Sequence, residues 1–138
     1  MKVVVNRCFG GFGLSPLAEK EYLKLLGKEC YHYKQDFDSK TKNTYVKVND
    51  ATSSFITTVT KDFGERFVFD WERDKDAYFY YGNLERTDEN LIKVVEMLGD
   101  KANGDCAQLE VVEIPDGTQY EIDEYDGKES IHEIHQSW

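Results

Sequence analysis

The spacing of apolar and polar positions divides the chain into two helix-bearing ends and a middle built from short alternating runs. Lys2-Val3-Val4-Val5-Asn6 is β-branched and predicts a first strand. A glycine-rich connection follows, then Ser15-Pro16, which opens a helix because Ser caps a free backbone N–H and Pro at the first position loses nothing by lacking one. Ala18, Tyr22, Leu25 and Leu26 recur at helical spacing, and Gly27 closes the segment. Runs at 31–34, 43–48, 54–60, 66–71 and 77–81 are rich in Tyr, Phe, Thr and Val and are separated by polar turns, which predicts an antiparallel meander. Alternation sets Phe67, Phe69 and Trp71 on one face of their strand and Tyr78 and Tyr80 on one face of the next, so the two are expected to pair as an aromatic hairpin.

Thr87-Asp88-Glu89-Asn90 starts a second helix with Thr87 as its cap; Leu91, Val94, Val95 and Leu98 form its buried stripe and Gly99 ends it. The stretch 109–127 reads as a hairpin: an apolar strand at 109–114, a Pro115-Asp116-Gly117 turn, and a second strand at 119–125 that Gly127 breaks. Residues 128–138 carry Ile131, Ile134, His135 and Trp138 at helical spacing and predict a short final helix. The expected architecture is α+β: one domain over 1–138, with a mixed or antiparallel sheet holding strand 1 and the 109–125 hairpin. Two or three helices cover it, and the aromatic meander of residues 29–84 extends or flanks it.

Composition changes this picture little. The 138 residues are 40% hydrophobic and 14% aromatic, enough for an ordinary core. No apolar run approaches the ~20 residues of a membrane helix, and the N-terminus does not read as a secretion signal. Cys8, Cys30 and Cys106 are odd in number and lack CxxC spacing, which fits reduced thiols in the cytoplasm. Charge is more informative. The net value is −10, and residues 85–138 hold 15 acidic against 4 basic side chains, whereas residues 1–84 are nearly balanced. That asymmetry disfavours direct nucleic-acid binding and favours solubility, a basic protein partner or a divalent cation.

Four constellations could carry function. Gly10, Gly11, Phe12 and Gly13 lie between a strand and a helix start, where free N–H groups hold anions; with Arg7 and Ser15 they form a candidate ligand-binding set. The loop is neither GxGxxG nor a P-loop, and packing of Phe9 and Phe12 explains its glycines as well. Glu121, Asp123, Glu124 and Asp126 crowd one strand as a candidate interaction surface, or as a solvated edge that blocks unwanted pairing. Tyr78 and Tyr80 belong to a Tyr-rich surface suited to protein contacts. His132 and His135, three apart on the expected helix, are weak metal candidates without a third ligand. No catalytic triad and no cofactor motif emerges, and a structural Cys8 fits better than a nucleophile.

The two ends together resemble a widespread group of small phage- and prophage-encoded proteins. The front block is KVVVNRCFGGFGLS, Lys2 to Ser15. The back block is LGDKANGDCAQLEVVEIPDGTQYEIDEYDG, Leu98 to Gly127, followed by Glu129, Ile131, His132, Glu133, His135, Ser137 and Trp138. The resemblance implies a phage or prophage origin, hence a bacterial host cytoplasm, and transfers no activity, cofactor or catalytic residue. The aromatic segment 29–84 lies outside it. The expected function is accordingly binding, with occlusion of a bacterial host or anti-phage defence protein through the acidic or Tyr-rich surface. The alternative is a small-ligand, nucleotide-like binder using the Gly10–Gly13 loop, and a third reading is a metal-dependent hydrolase. The oligomeric state stays open.

Overall fold

The structure, a computed structural model, describes residues 1–37, 40, 43–49 and 55–134. Its helices and antiparallel sheets make it an α+β protein. Strand β1 (Lys2–Asn6) pairs antiparallel with β7 (Leu109–Glu113), in a register that sets Val3 opposite Val112 and Val4 opposite Val111. Val3, Val4 and Val5 are fully buried, which is why the β-branched run is held here. The terminal ammonium of Met1 ties down the end of the ribbon, bonding Ile114 O at 2.8 Å and Asp116 Oδ1 at 2.5 Å.

Helix α1 (Pro16–Leu25) begins as expected: the Ser15 hydroxyl accepts from Ala18 N and donates to Lys101 O. Its buried face differs from the expected stripe. Ala18, Glu19, Tyr22 and Leu23 are buried, while Leu25 and Leu26 stand 43% and 41% exposed. The helix is clamped between α3 (Glu89–Leu98) and the edge of the central sheet, so its inward face is turned away from Leu25 and Leu26 and takes in a carboxylate. In α3 the cap is Asp88 rather than Thr87, its carboxylate accepting from Asn90 N and Leu91 N. Leu91, Val94 and Val95 are buried as expected and pack with Val4, Leu14, Tyr22 and Leu23 into the main core.

The middle of the chain forms a five-stranded antiparallel sheet, but not a meander. Its strands are β2 (Tyr31–Gln35), β3 (Thr44–Lys47), β4 (Ile56–Val59), β5 (Arg66–Val68) and β6 (Tyr78–Phe79). Their order is β5-β3-β2-β4-β6, with β2 central and its Tyr33 fully buried. The two runs expected to pair as an aromatic hairpin therefore occupy opposite edges. Their rings meet nonetheless: past β5 the chain turns into the short helix α2 (Trp71–Asp74), capped by Asp70, so Phe69 and Trp71 lie 6.3 and 6.0 Å from Tyr78. Trp71, expected in a strand, thus opens a helix. The predicted turns 37–42 and 49–52 and the run 54–60 fall partly outside the described residues.

The C-terminal part departs further from expectation. β7 does not pair with β8 (Tyr120–Tyr125), so the predicted hairpin across Pro115-Asp116-Gly117 is absent: β7 pairs with β1, and β8 pairs with β9 (Lys128–Glu133). The turn that closes β8 to β9 is Asp126-Gly127, with φ of 50° and 90°. Positive φ at both central residues is the geometry whose twist matches a two-residue hairpin. Residues 128–133 are consequently strand rather than the start of a final helix, while His135 and Trp138 lie outside the described residues. Among the described residues, no helix is long and apolar enough to cross a membrane.

Candidate functional site: a cavity between the glycine loop and the aromatic sheet edge

The glycine loop is shaped by backbone bonds from three directions. Gly10 N donates to Asp126 O, Gly104 N donates to Gly13 O, and Ser15 N donates to Ala102 O. Gly10 has φ of 133°, and a Cβ there would come within 2.6 Å of Cys106. Opposite the loop stands the β6 edge, joined to the helical layer by Tyr22 against Phe79 and Phe12 against Tyr81. Between them opens a cavity of about 380 Å³, bounded by the loop, the segment from Tyr78 to Tyr81, the segment from Asn103 to Cys106, Glu19 and Thr58.

Glu19 is the least expected member. It is 6% exposed and accepts at Oε1 from the Thr58 hydroxyl at 3.1 Å. Thr58 Oγ1 lies 3.1 Å from His32 Nδ1, and His32 Nε2 lies 3.6 Å from Cys30 Sγ. Every fully buried side-chain polar atom among the described residues has a hydrogen-bond partner. The second oxygen of Glu19 has no such bond among the described residues and so is not fully buried, and Glu19 lines the cavity. Burial pushes the Glu19 carboxyl up to about 8, and Thr58 opposes this only in part. Burial and the neighbouring Glu19 push the Cys30 thiol up to about 12, whereas burial and then Lys20 hold His32 below its ordinary value. A protonated thiol beside a neutral imidazole is no activated nucleophile. The chain of groups is a buried polar network that opens on the cavity at its acid end.

Two of the residue sets read from sequence come together here. Gly10, Gly11, Gly13 and Ser15 line the cavity together with Tyr78 and Tyr80. The Ser15 hydroxyl is already engaged in capping. Arg7 is not among the lining residues; its Nε bonds Glu110 at 2.8 Å and its Nη1 bonds Glu129 O at 3.2 Å. Rings continue outward from the mouth: Tyr81 meets Tyr80, Tyr80 stacks with Tyr78, and Tyr78 meets Trp71, which is 56% exposed.

The acidic set lies elsewhere. Glu121, Asp123, Glu124 and Asp126 are all exposed on the β8–β9 hairpin. Asp123 faces His132 at 3.1 Å, and Ser130 also bonds that imidazole. His132 is on a strand rather than the expected helix, and His135 lies outside the described residues. Among the described residues, no three potential metal ligands converge. Glu19, Thr58, His32 and Asp105 were not singled out from sequence; the one available signal was Glu19 beside Ala18 and three positions before Tyr22, a polar residue on the inward face.

The fold and site define a small α+β protein with an aromatic, carboxylate-bearing cavity between its helical layer and its five-stranded sheet. Comparison with protein-family models, curated proteins and solved structures finds no match to the chain.

Proposed function

We propose that this protein acts by binding, occluding a basic surface on a bacterial host or anti-phage defence protein. The observation that carries the reading is the β8–β9 hairpin: Glu121, Asp123, Glu124 and Asp126 are all exposed, and among the described residues Asp123 alone of the four comes within ion-pair distance of an imidazole, that of His132. Exposed acids of one sign steer a cationic partner and contribute most at low ionic strength. The bacterial setting and the cytoplasmic location rest on the sequence resemblance to phage and prophage proteins. A nucleotide-like ligand in the cavity has less support, since no Lys or Arg lines it and Arg7 bonds to other groups. A metal-dependent hydrolase through His132 has less still, since among the described residues no three potential ligands converge there.

The test is affinity capture from a susceptible bacterium, followed by titration of the purified partner at increasing salt. The expected result is a basic partner whose affinity falls steeply with ionic strength. It should fall again on replacing the four hairpin acids by Lys. Salt-independent capture, or capture indifferent to those four changes, overturns the reading.

A further inference from the structure

We infer that the cavity between the glycine loop and the tyrosine edge is a socket for a cationic side chain, a lysine or arginine presented by the partner. This rests on the binding reading above and adds to it a site separate from the acidic hairpin. Three observations converge. The lining supplies two carboxylates, Glu19 at the inner wall and Asp105 at the exposed rim, and no Lys or Arg. Aromatic side chains line the cavity as well, Phe12, Tyr78, Tyr80 and Tyr81, and aromatic rings attract ammonium and guanidinium groups. Glu19 is only 6% exposed, and among the described residues one of its oxygens has no hydrogen-bond partner. The Glu19 carboxyl borders the cavity, and a cation there would be the partner of its ionised form.

Charge argues against the other occupants. The cavity, about 380 Å³, has room for a lysine or arginine side chain. A phosphate would bring negative charge towards Asp105, with no Lys or Arg among the lining residues. The end of α1 does offer a positive dipole, but its first free N–H is already taken by Ser15.

Entry of a cation also has a proton consequence. Burial keeps the proton on Glu19 near neutral pH. The groups around it are Lys20 on α1, Cys30 and His32 from the β2 side, Thr58 on β4, and Tyr78 and Tyr81 at the β6 edge. None of them supplies a cation to the carboxylate, because Lys20 is exposed and His32 is held neutral. An incoming ammonium stabilises the ionised form, so the carboxyl releases its proton to solvent as the ion pair forms, and binding strengthens as pH rises towards 8.

The experiment titrates the full ¹⁵N-labelled chain with Nα-acetyl-lysine methylamide and, in parallel, with the uncharged Nα-acetyl-norleucine methylamide. The lysine compound is expected to shift the amides of Gly11, Gly13 and Gly104, more tightly at pH 8 than at pH 6, and the norleucine compound to leave them in place. Glu19→Gln should weaken the lysine compound about tenfold or more, and Asp105→Asn, at the exposed rim where folding is not at stake, should weaken it less. Equal shifts from both compounds, no shift from either, or an unchanged affinity in both variants overturns the inference. Tighter binding of free n-butylamine than of the lysine compound assigns the site to small amines and overturns the side-chain assignment. The hairpin acids do not line the cavity. Salt-sensitive capture that survives a failed titration therefore leaves the proposed function standing without the socket, and the reverse leaves the socket without that partner.

Discussion

Arg86 and Glu129 meet as a two-bond ion pair, Nη1 to Oε1 at 2.5 Å and Nη2 to Oε2 at 2.8 Å, with the carboxylate almost wholly buried. Asn6 N also donates to Glu129 Oε1, and the guanidinium lies 3.7 Å over the Phe12 ring while Nη1 reaches Val4 O. One pair thus joins β1, β9, the glycine loop and the segment before α3. Removing one partner of a buried pair leaves the other charge without compensation, at a loss of about 3–5 kcal/mol. Arg86→Met should lower stability by that order in chemical denaturation, and the double variant Arg86→Met, Glu129→Leu should recover much of it. Equal losses in the single and double variants would mean that the contribution is packing over Phe12 rather than charge.

Gly127 occupies the tightest backbone approach of any glycine in the protein. A Cβ there would come within 2.3 Å of Gly11 N and 2.6 Å of Gly10, at a φ of 90°. Gly127→Ala is expected to destabilise by about 2 kcal/mol or more, since the left-handed conformation alone costs about 1–2 kcal/mol. Asp126→Asn, which also tolerates positive φ, should be within about 0.5 kcal/mol of the parent. Thermal melts of the two variants check both values.

Glu19 sets a pH dependence. The unfolded carboxyl ionises near 4.5, while the folded one keeps its proton to about 8. Between those values the folded state binds more protons, so the contribution to stability is complete below 4.5, is lost as pH rises, and levels off above 8. The slope is about 1.4 kcal/mol per pH unit at most. His32 acts in the opposite sense below 6.5, because burial keeps it neutral in the folded state. Glu19→Gln should therefore match the parent near pH 5 and exceed it in melting temperature at pH 8.5. A difference that does not grow with pH would mean that Glu19 is ionised in the fold.

The cap of α3 separates two adjacent residues. Asp88 accepts from Asn90 N at 2.8 Å and from Leu91 N at 3.2 Å, and takes a 2.7 Å bond from the Tyr22 hydroxyl at its other oxygen. Asp88→Ala should cost about 1–2 kcal/mol, at the upper end because the Tyr22 hydroxyl also loses its acceptor. Thr87→Ala should change stability by about 0.5 kcal/mol or less. Denaturant midpoints of the two variants distinguish the assignments.

Local signals in the sequence determined the parts that depend on few neighbours. Val3 to Val5 had to be strand, Ser15-Pro16 had to start a helix, and Leu91, Val94 and Val95 had to face inward, because β-branching, capping and helical period act over a few residues. Which edges pair was not local. The Pro115-Asp116-Gly117 turn is present, yet β7 joins β1 and β8 joins β9, because Asp126-Gly127 takes the positive φ values of the tighter hairpin and burial of the valines draws β1 onto β7. Likewise the aromatic runs at 66–71 and 77–81 were read as adjacent strands, but chain crossings set them at opposite edges and returned their rings through α2.

The candidate site followed the same division. Its glycines and tyrosines were each visible as motifs, since composition and alternation mark them. That they face one another across a cavity, with Glu19 buried at its wall and Arg7 bonded elsewhere, was decided only when α1 docked on the sheet. Docking fixes burial and the distance between groups remote in sequence, and these in turn govern which carboxylate keeps its proton.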